Sequence, residues 1–128
     1  MEKVLLVGVG GFLGSVLRYL AGGLVYRWRG SSVFPLETLL INVTGCLAIG
    51  MVAELAESRG VFSGATRAFL MIGVLGGFTT FSAFGYETFE LMRDGQIGAA
   101  ALSVGAQVVL GIAAVWLGHV AIRLAWGS

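Results

Sequence analysis

The stretch Gly73–Glu87 reads Gly-Val-Leu-Gly-Gly-Phe-Thr-Thr-Phe-Ser-Ala-Phe-Gly-Tyr-Glu. It sets three hydroxyls (Thr79, Thr80, Ser82), three phenylalanines at three-residue spacing (Phe78, Phe81, Phe84) and a carboxylate (Glu87) behind the glycine pair Gly76–Gly77. Hydroxyls donate and accept hydrogen bonds, and a benzene ring carries a positive edge as well as a negative face. Such groups can replace an ion's hydration without holding it as tightly as a formal charge would. Glycine inside a helix costs about 1 kcal/mol relative to alanine. The pair therefore marks an interruption, expected over Gly76–Thr80, where freed carbonyl oxygens could hold a cation. Aromatics at helical spacing also simply pack, and that reading stands beside the ion reading.

Three further polar groups lie inside apolar runs. Asn42 offers two donors and an acceptor, to cap a neighbouring helix or to meet an anion. Arg18 is either an intramembrane functional cation or a side chain that snorkels outward beside Tyr19. Glu87, one turn beyond Phe84, either anchors a polar file or is an interfacial acid, as Glu90 is near Arg93. His119 has no second ligand at metal-binding spacing and reads as packing or interfacial. No nucleophile, base and orienting group fall together, so catalysis has no candidate.

The elements that must position these groups are membrane helices. Of 128 residues, 57% are hydrophobic and 12% charged, against about 25% charged in soluble domains. The mean hydropathy is +0.91. An integral membrane protein follows, all-α, with four spans at about 20 residues each. They are expected over residues 4–26, 36–53, 65–93 and 97–124 of a single unit, 1–128, with the third helix broken. The 21 glycines suit close helix packing, and Gly10 with Gly14 forms a small-xxx-small pair in the first span. Pro35 suits the first turn of the second helix. Lys3–Ser15 imitates a dinucleotide-binding turn, but Leu13 stands where its third glycine is needed, and helix packing accounts for it better. No cleavable signal peptide is expected at the amino end, and Cys46 reads as a small apolar residue. The net charge of +1 leaves no basic footprint for nucleic acid.

Loop charge normally fixes membrane orientation. Here one side would hold Lys3, Arg59, Arg67 and Arg123, and the other Arg27, Arg29, Arg93 and, if it snorkels, Arg18. A chain without bias can insert both ways, and opposite insertions can pair as an antiparallel dimer. The alternative is that another factor sets the topology.

Three segments together resemble the Fluc/CrcB family of fluoride channels: Gly10-Gly11-Phe12-Leu13-Gly14-Ser15-Val16-Leu17-Arg18-Tyr19, Thr38-Leu39-Leu40-Ile41-Asn42-Val43-Thr44-Gly45, and Gly73–Phe84. The third is the most specific, and the last span carries the weakest likeness. The resemblance implies an antiparallel, dual-topology homodimer in the plasma membrane (a bacterial-type inner membrane). It implies two fluoride pores and a structural sodium ion at the dimer centre, held by the backbone carbonyls of Gly76 and Thr79. It assigns pore or fluoride-binding roles to Asn42, Phe81, Phe84, Ser82, Thr80 and Glu87, and a vestibule role to Arg18. The chain departs from the family pattern at Phe78 and Ala83, and at Ser103, Gln107 and Gly111 in the last span, which puts the far end of the polar track in question.

The function so implied is passive export of cytoplasmic fluoride down its electrochemical gradient, conferring fluoride resistance. The rival is a small four-helix, dual-topology multidrug/proton antiporter. That class wants a buried carboxylate in its first span, and Val4–Tyr26 has none. An accessory subunit of a larger membrane complex is the third possibility.

Overall fold

Each apolar run becomes one long helical passage. The computed structural model describes residues 1–127; Ser128, the last residue of the expected unit, lies outside them. Four helical stretches are long and apolar enough to cross a membrane: Glu2–Arg29, Leu36–Glu57, Gly64–Arg93 and Ile97–Trp126. We label α1 (Glu2–Arg29), α2 (Leu36–Glu57), α3 (64–78), α4 (Phe81–Arg93) and α5 (Ile97–Trp126). Three helices run a few residues past the apolar cores read from sequence. Hydropathy marks the depth of hydrocarbon, whereas backbone hydrogen bonding continues into the interface, where Trp28, Arg29 and Trp126 sit exposed.

The third passage is composite. After a first turn over Gly64–Arg67, capped by the Ser63 hydroxyl on the Thr66 N–H at 3.1 Å, the backbone widens into a π-helical stretch, Ala68–Leu75, before Gly76–Phe78. Only Thr79 and Thr80 leave the helical region, at φ −82°, ψ 160° and φ −151°, ψ 111°. The expected interruption at Gly76–Thr80 is thus shorter: Gly76 is helical at φ −63°, ψ −37°. Gly77 serves contact instead. A Cβ on Gly77 would come within 2.6 Å of the Gly11 carbonyl oxygen, and one on Gly14 would overlap the Val74 carbonyl oxygen. So α1 and α3 touch backbone to backbone along Gly10, Gly11, Gly14, Gly73 and Gly77, the small-residue approach anticipated for Gly10 and Gly14. The phenylalanine row is split by the same residues: Phe78 ends α3, and only Phe81 and Phe84 rise on α4.

On the other side α2 packs against α5. Gly118 lies against the Leu47 carbonyl and Gly50 against that of Val115. One turn further, His119 Nδ1 meets Glu54 Oε2 at 3.1 Å, and the Glu54 side chain is only 4% exposed. His119 is therefore the partner of a buried carboxylate rather than mere packing.

The charged ends separate as expected. Lys3 reaches Gly64, Arg67 pairs with Glu57 at 3.8 Å, and Arg59 donates to the Gly127 carbonyl at 2.6 Å, which gathers Lys3, Arg59, Arg67 and the α5 terminus at one end. At the other end Arg29, Glu37, Glu90 and Asp94 border one cleft.

Candidate functional site

The site is built on the two extended residues between α3 and α4. Leaving the helix costs Thr80 the regular partner of its N–H, and a side chain replaces it, whereas Thr79 keeps the helical one. The Thr79 N–H and hydroxyl both donate to the Leu75 carbonyl, at 3.0 and 2.9 Å. The Thr80 hydroxyl caps α4 by accepting the Ala83 N–H at 3.1 Å, and lies 3.3 Å from the Ser82 hydroxyl. The Thr80 N–H, which a continuous helix would give to Gly76, goes to Asn42 Oδ1 at 2.8 Å. Asn42 Nδ2 returns a bond to the Thr80 carbonyl at 3.1 Å. Asn42 thus clamps both backbone groups of Thr80 from α2, which is the capping role weighed for it. Its second amide N–H goes to Gln107 Oε1 of α5 at 3.1 Å. Gly45, on the same helix as Asn42, leaves room for the Thr79 side chain.

Arg18 does not snorkel. Its Nη1 donates to the Thr79 carbonyl at 3.2 Å and the residue is half-buried, so its charge lies beside the interruption. Tyr19 next to it is 81% exposed. The interfacial basic residues opposite Lys3, Arg59, Arg67 and Arg123 are therefore Arg27, Arg29 and Arg93.

Two clefts share Thr80 as a wall. One, of about 690 Å³, is bordered by Arg18, Arg27, Glu37, Thr38, Thr80 and Ser82. The other, of about 330 Å³, is bordered by Asn42, Thr79, Thr80, Phe81, Phe84 and Gln107. The Phe81 and Phe84 rings meet edge to face, centroids 5.4 Å apart at 66°. Phe81 is 82% exposed, so this chain supplies one wall around it and not an enclosure. Beyond Ser82, Thr38 Oγ1 donates to Glu87 Oε1 at 2.6 Å, while Glu87 Oε2 is buried without a partner. Glu87 also borders the end cleft that Arg29, Glu90 and Asp94 share, so both readings weighed for it keep a footing. Glu90 takes the interfacial role, accepting from Tyr86 at 2.9 Å and pairing with Arg93 at 3.4 Å.

The structure sets Arg18, Thr80 and Ser82 on one cleft and Asn42, Thr79, Thr80, Phe81 and Phe84 on the other, with Glu87 one turn beyond Phe84 along α4. Two contributors escaped the sequence reading of the site. Thr38 lies four residues before Asn42, hence on the same face of α2, and that spacing was the available signal. Gln107 stood out as a departure from the family pattern in the last span, and nothing in sequence placed it opposite Asn42.

For a structural sodium ion, the residues present fit in kind. Gly76 is exposed and its carbonyl has lost the i+4 donor that Asn42 diverts. The Thr79 carbonyl takes one bond from Arg18, and a carbonyl oxygen has a second lone pair.

These features define a class: a multi-pass membrane protein of four helices whose interior polar groups converge, hydrogen-bonded rather than ion-paired, on a non-helical pair of threonines. Residues 5–119 match the CrcB-like protein family, Camphor Resistance (CrcB), and the chain belongs to that family. It is 44% identical over 97% of its length, and 97% of the relative's, to the Fluoride-specific ion channel FluC of Methylobacillus flagellatus. The proteins of the same name from Opitutus terrae and Thermus thermophilus are 48% and 45% identical, over 94% and 93% of this chain and 92% and 94% of their own.

Proposed function

We propose that this protein is a fluoride-specific ion channel that lets cytoplasmic fluoride leave passively, down its electrochemical gradient, and so confers fluoride resistance. The observation that carries the reading is the Asn42–Thr80 clamp beside the Phe81–Phe84 pair, in a chain so similar over its length to proteins named for that activity. Hydrogen fluoride crosses lipid and dissociates inside the cell, so a leak for the anion alone discharges what accumulates.

The chemistry is set by the groups that line the clefts. A small, strongly hydrated anion enters only where donors replace its water, and leaves only if none holds it too firmly. Arg18 raises the local anion concentration in the wider cleft beside the interruption. Amide N–H groups, the hydroxyls of Thr80 and Ser82 and the positive edges of Phe81 and Phe84 then take over from water. The Thr79–Thr80 interruption works as the break of a membrane helix. It turns α4's first N–H groups, and the positive end of its dipole, toward the site. Glu87, held by Thr38, ends the file of polar groups.

The working unit is an antiparallel, dual-topology homodimer in the plasma membrane of a bacterial-type cell. Two observations support it: Phe81 has no second wall within one chain, and neither end of the bundle has a marked excess of basic residues. At the centre of that dimer, Gly76 and Thr79 carbonyls from both copies would hold sodium, whose charge ties the two interruptions together. The antiporter alternative lacks its carboxylate, because the only acid of α1 is Glu2 at its start.

The test is anion efflux from liposomes containing the purified protein alone, loaded with fluoride or chloride, with valinomycin carrying potassium. Fast fluoride efflux with negligible chloride efflux is expected. A folded dimer that releases no fluoride overturns the reading.

A further inference from the structure

Glu54 and His119 stand twelve residues beyond Asn42 and Gln107 on α2 and α5, counting from 42 to 54 and from 107 to 119. At the rise of an α-helix that is about 18 Å along the bundle. Asn42 is bonded to Thr80, halfway along the passage Gly64–Arg93 and so near the middle of the bilayer. Half of the hydrocarbon layer is about 15 Å thick. His119 therefore lies where acyl chains give way to headgroups.

One outward face of α5 carries Ile112, Trp116, His119, Arg123 and Trp126 at helical spacing. Their order follows the depth. Ile112 and Trp116 lie below His119, at the level of hydrocarbon. Arg123 lies one turn above it, and Trp126 ends the helix among the headgroups. On its deeper side this face opens into a groove of about 400 Å³ between α2 and α5, walled by Gly50, Ala53, Ile112, Val115, Trp116 and His119. Gly50 and Ala53 carry too little side chain to fill it.

The charges suit an anion at the mouth of the groove. Glu54 engages His119 Nδ1 at 3.1 Å and is only 4% exposed, whereas the imidazole side chain is 41% exposed. That leaves Nε2 as the ring nitrogen for another partner. Arg123 is exposed and forms no ion pair among the described residues. Glu57, one turn beyond Ala53 on α2, is already paired with Arg67 at 3.8 Å. A headgroup arriving here meets two bases and not the acid behind them.

We propose that this face binds an anionic phospholipid of the surrounding leaflet, its phosphate on Arg123 and His119 and one acyl chain in the groove over Gly50 and Ala53. Glu54 is the positioning residue that holds the ring. A zwitterionic lipid brings an ammonium group for which this face has no exposed, unpaired acid. The site depends on the membrane-spanning fold alone, whichever ion the chain conducts.

Native mass spectrometry of the detergent-purified protein, titrated with phosphatidylglycerol or phosphatidylcholine, tests the site. The wild type is expected to retain phosphatidylglycerol preferentially. Arg123→Gln should weaken that binding about fivefold, the worth of one basic residue near an anionic lipid surface. Arg29→Gln, which removes an exposed charge at the opposite end, should cost far less. Ala53→Leu should weaken binding by filling the groove, with dimer elution unchanged. Equal retention of the two lipids by the wild type overturns the proposal, as does wild-type binding by Arg123→Gln. An equal loss from Arg29→Gln would reduce the effect to general charge attraction and overturn it too. So would a dimer that dissociates in Ala53→Leu with lipid binding intact, which gives the groove to a second copy. Should Ala53→Leu fail to fold, the two arginine variants, both at exposed positions, decide alone.

Discussion

Phe81 shows how differently a side chain can count for folding and for transport. At 82% exposed it contributes little to the packing of its own chain, meeting Phe84 edge to face. Phe81→Ile should therefore leave the melting temperature and the dimer nearly unchanged while reducing fluoride efflux to background. Undiminished efflux from that variant would remove the ring edges from the mechanism. The spacing of Phe81 and Phe84 and the row of hydroxyls were legible in sequence because helical period and residue chemistry suffice to read them. The partner of Arg18 was not. Whether a long cation snorkels or turns inward depends on which acceptor stands opposite, here the Thr79 carbonyl 61 residues away in the chain. Asn42 likewise had its two readings left open, since capping and anion donation demand the same amide and differ only in which groups it meets.

At the scale of elements, the four spans were plain from hydropathy, but the reason for the glycines was misplaced. Gly76 and Gly77 looked like the break itself. They are helical, and the chain leaves the helix only at Thr79 and Thr80, where Asn42 offers the Thr80 N–H a better-placed acceptor than Gly76. Propensity alone cannot separate a glycine that interrupts a helix from one that lets a second backbone come close. The close approach has a measurable consequence. Gly14→Ala would drive a methyl group into the Val74 carbonyl and to 2.8 Å from the Phe78 backbone nitrogen. Forcing α1 off α3 should cost about 1–3 kcal/mol, as overpacking does, seen as a lower melting temperature. Gly98→Ala is the control: nothing lies within 4 Å of its would-be Cβ, so the change should be neutral, or stabilising by up to about 1 kcal/mol through helix propensity.

At the scale of the molecule, the even spread of basic residues was legible because it needs only a count along the chain. With Arg18 turned inward, the ends carry Lys3, Arg59, Arg67 and Arg123 against Arg27, Arg29 and Arg93, which remains a weak bias. If opposite insertions pair, the balance should be easy to tip. Lysines at Ser31 and Ser32, both exposed in the α1–α2 loop, together with Lys3→Gln at the other end, leave three basic residues against five and should drive the chain into one orientation, read by one-sided labelling of cysteines placed in that loop. Fluoride efflux should fall with it. Co-expression with a chain biased the other way, through Ser58→Lys, should restore efflux. Unchanged efflux from a chain inserted in one orientation only would count against the antiparallel pair.

The widened stretch Ala68–Leu75 bears on how this protein tolerates changes in length. A π-helical segment holds more residues per turn than its α-helical flanks, so it acts as a phase shifter between the start of α3 and the threonines. Removing one residue there would let the segment relax to ordinary α-helix, whose tighter turns recover most of the about 100° that one lost residue costs a uniform helix. Gly77 would stay near Gly11, and Thr80 near Asn42. A single-residue deletion in this apolar run should thus be tolerated far better than the same deletion in α2, where the full rotation of about 100° is lost. A one-residue insertion in the run has no such slack and should be the more disabling change.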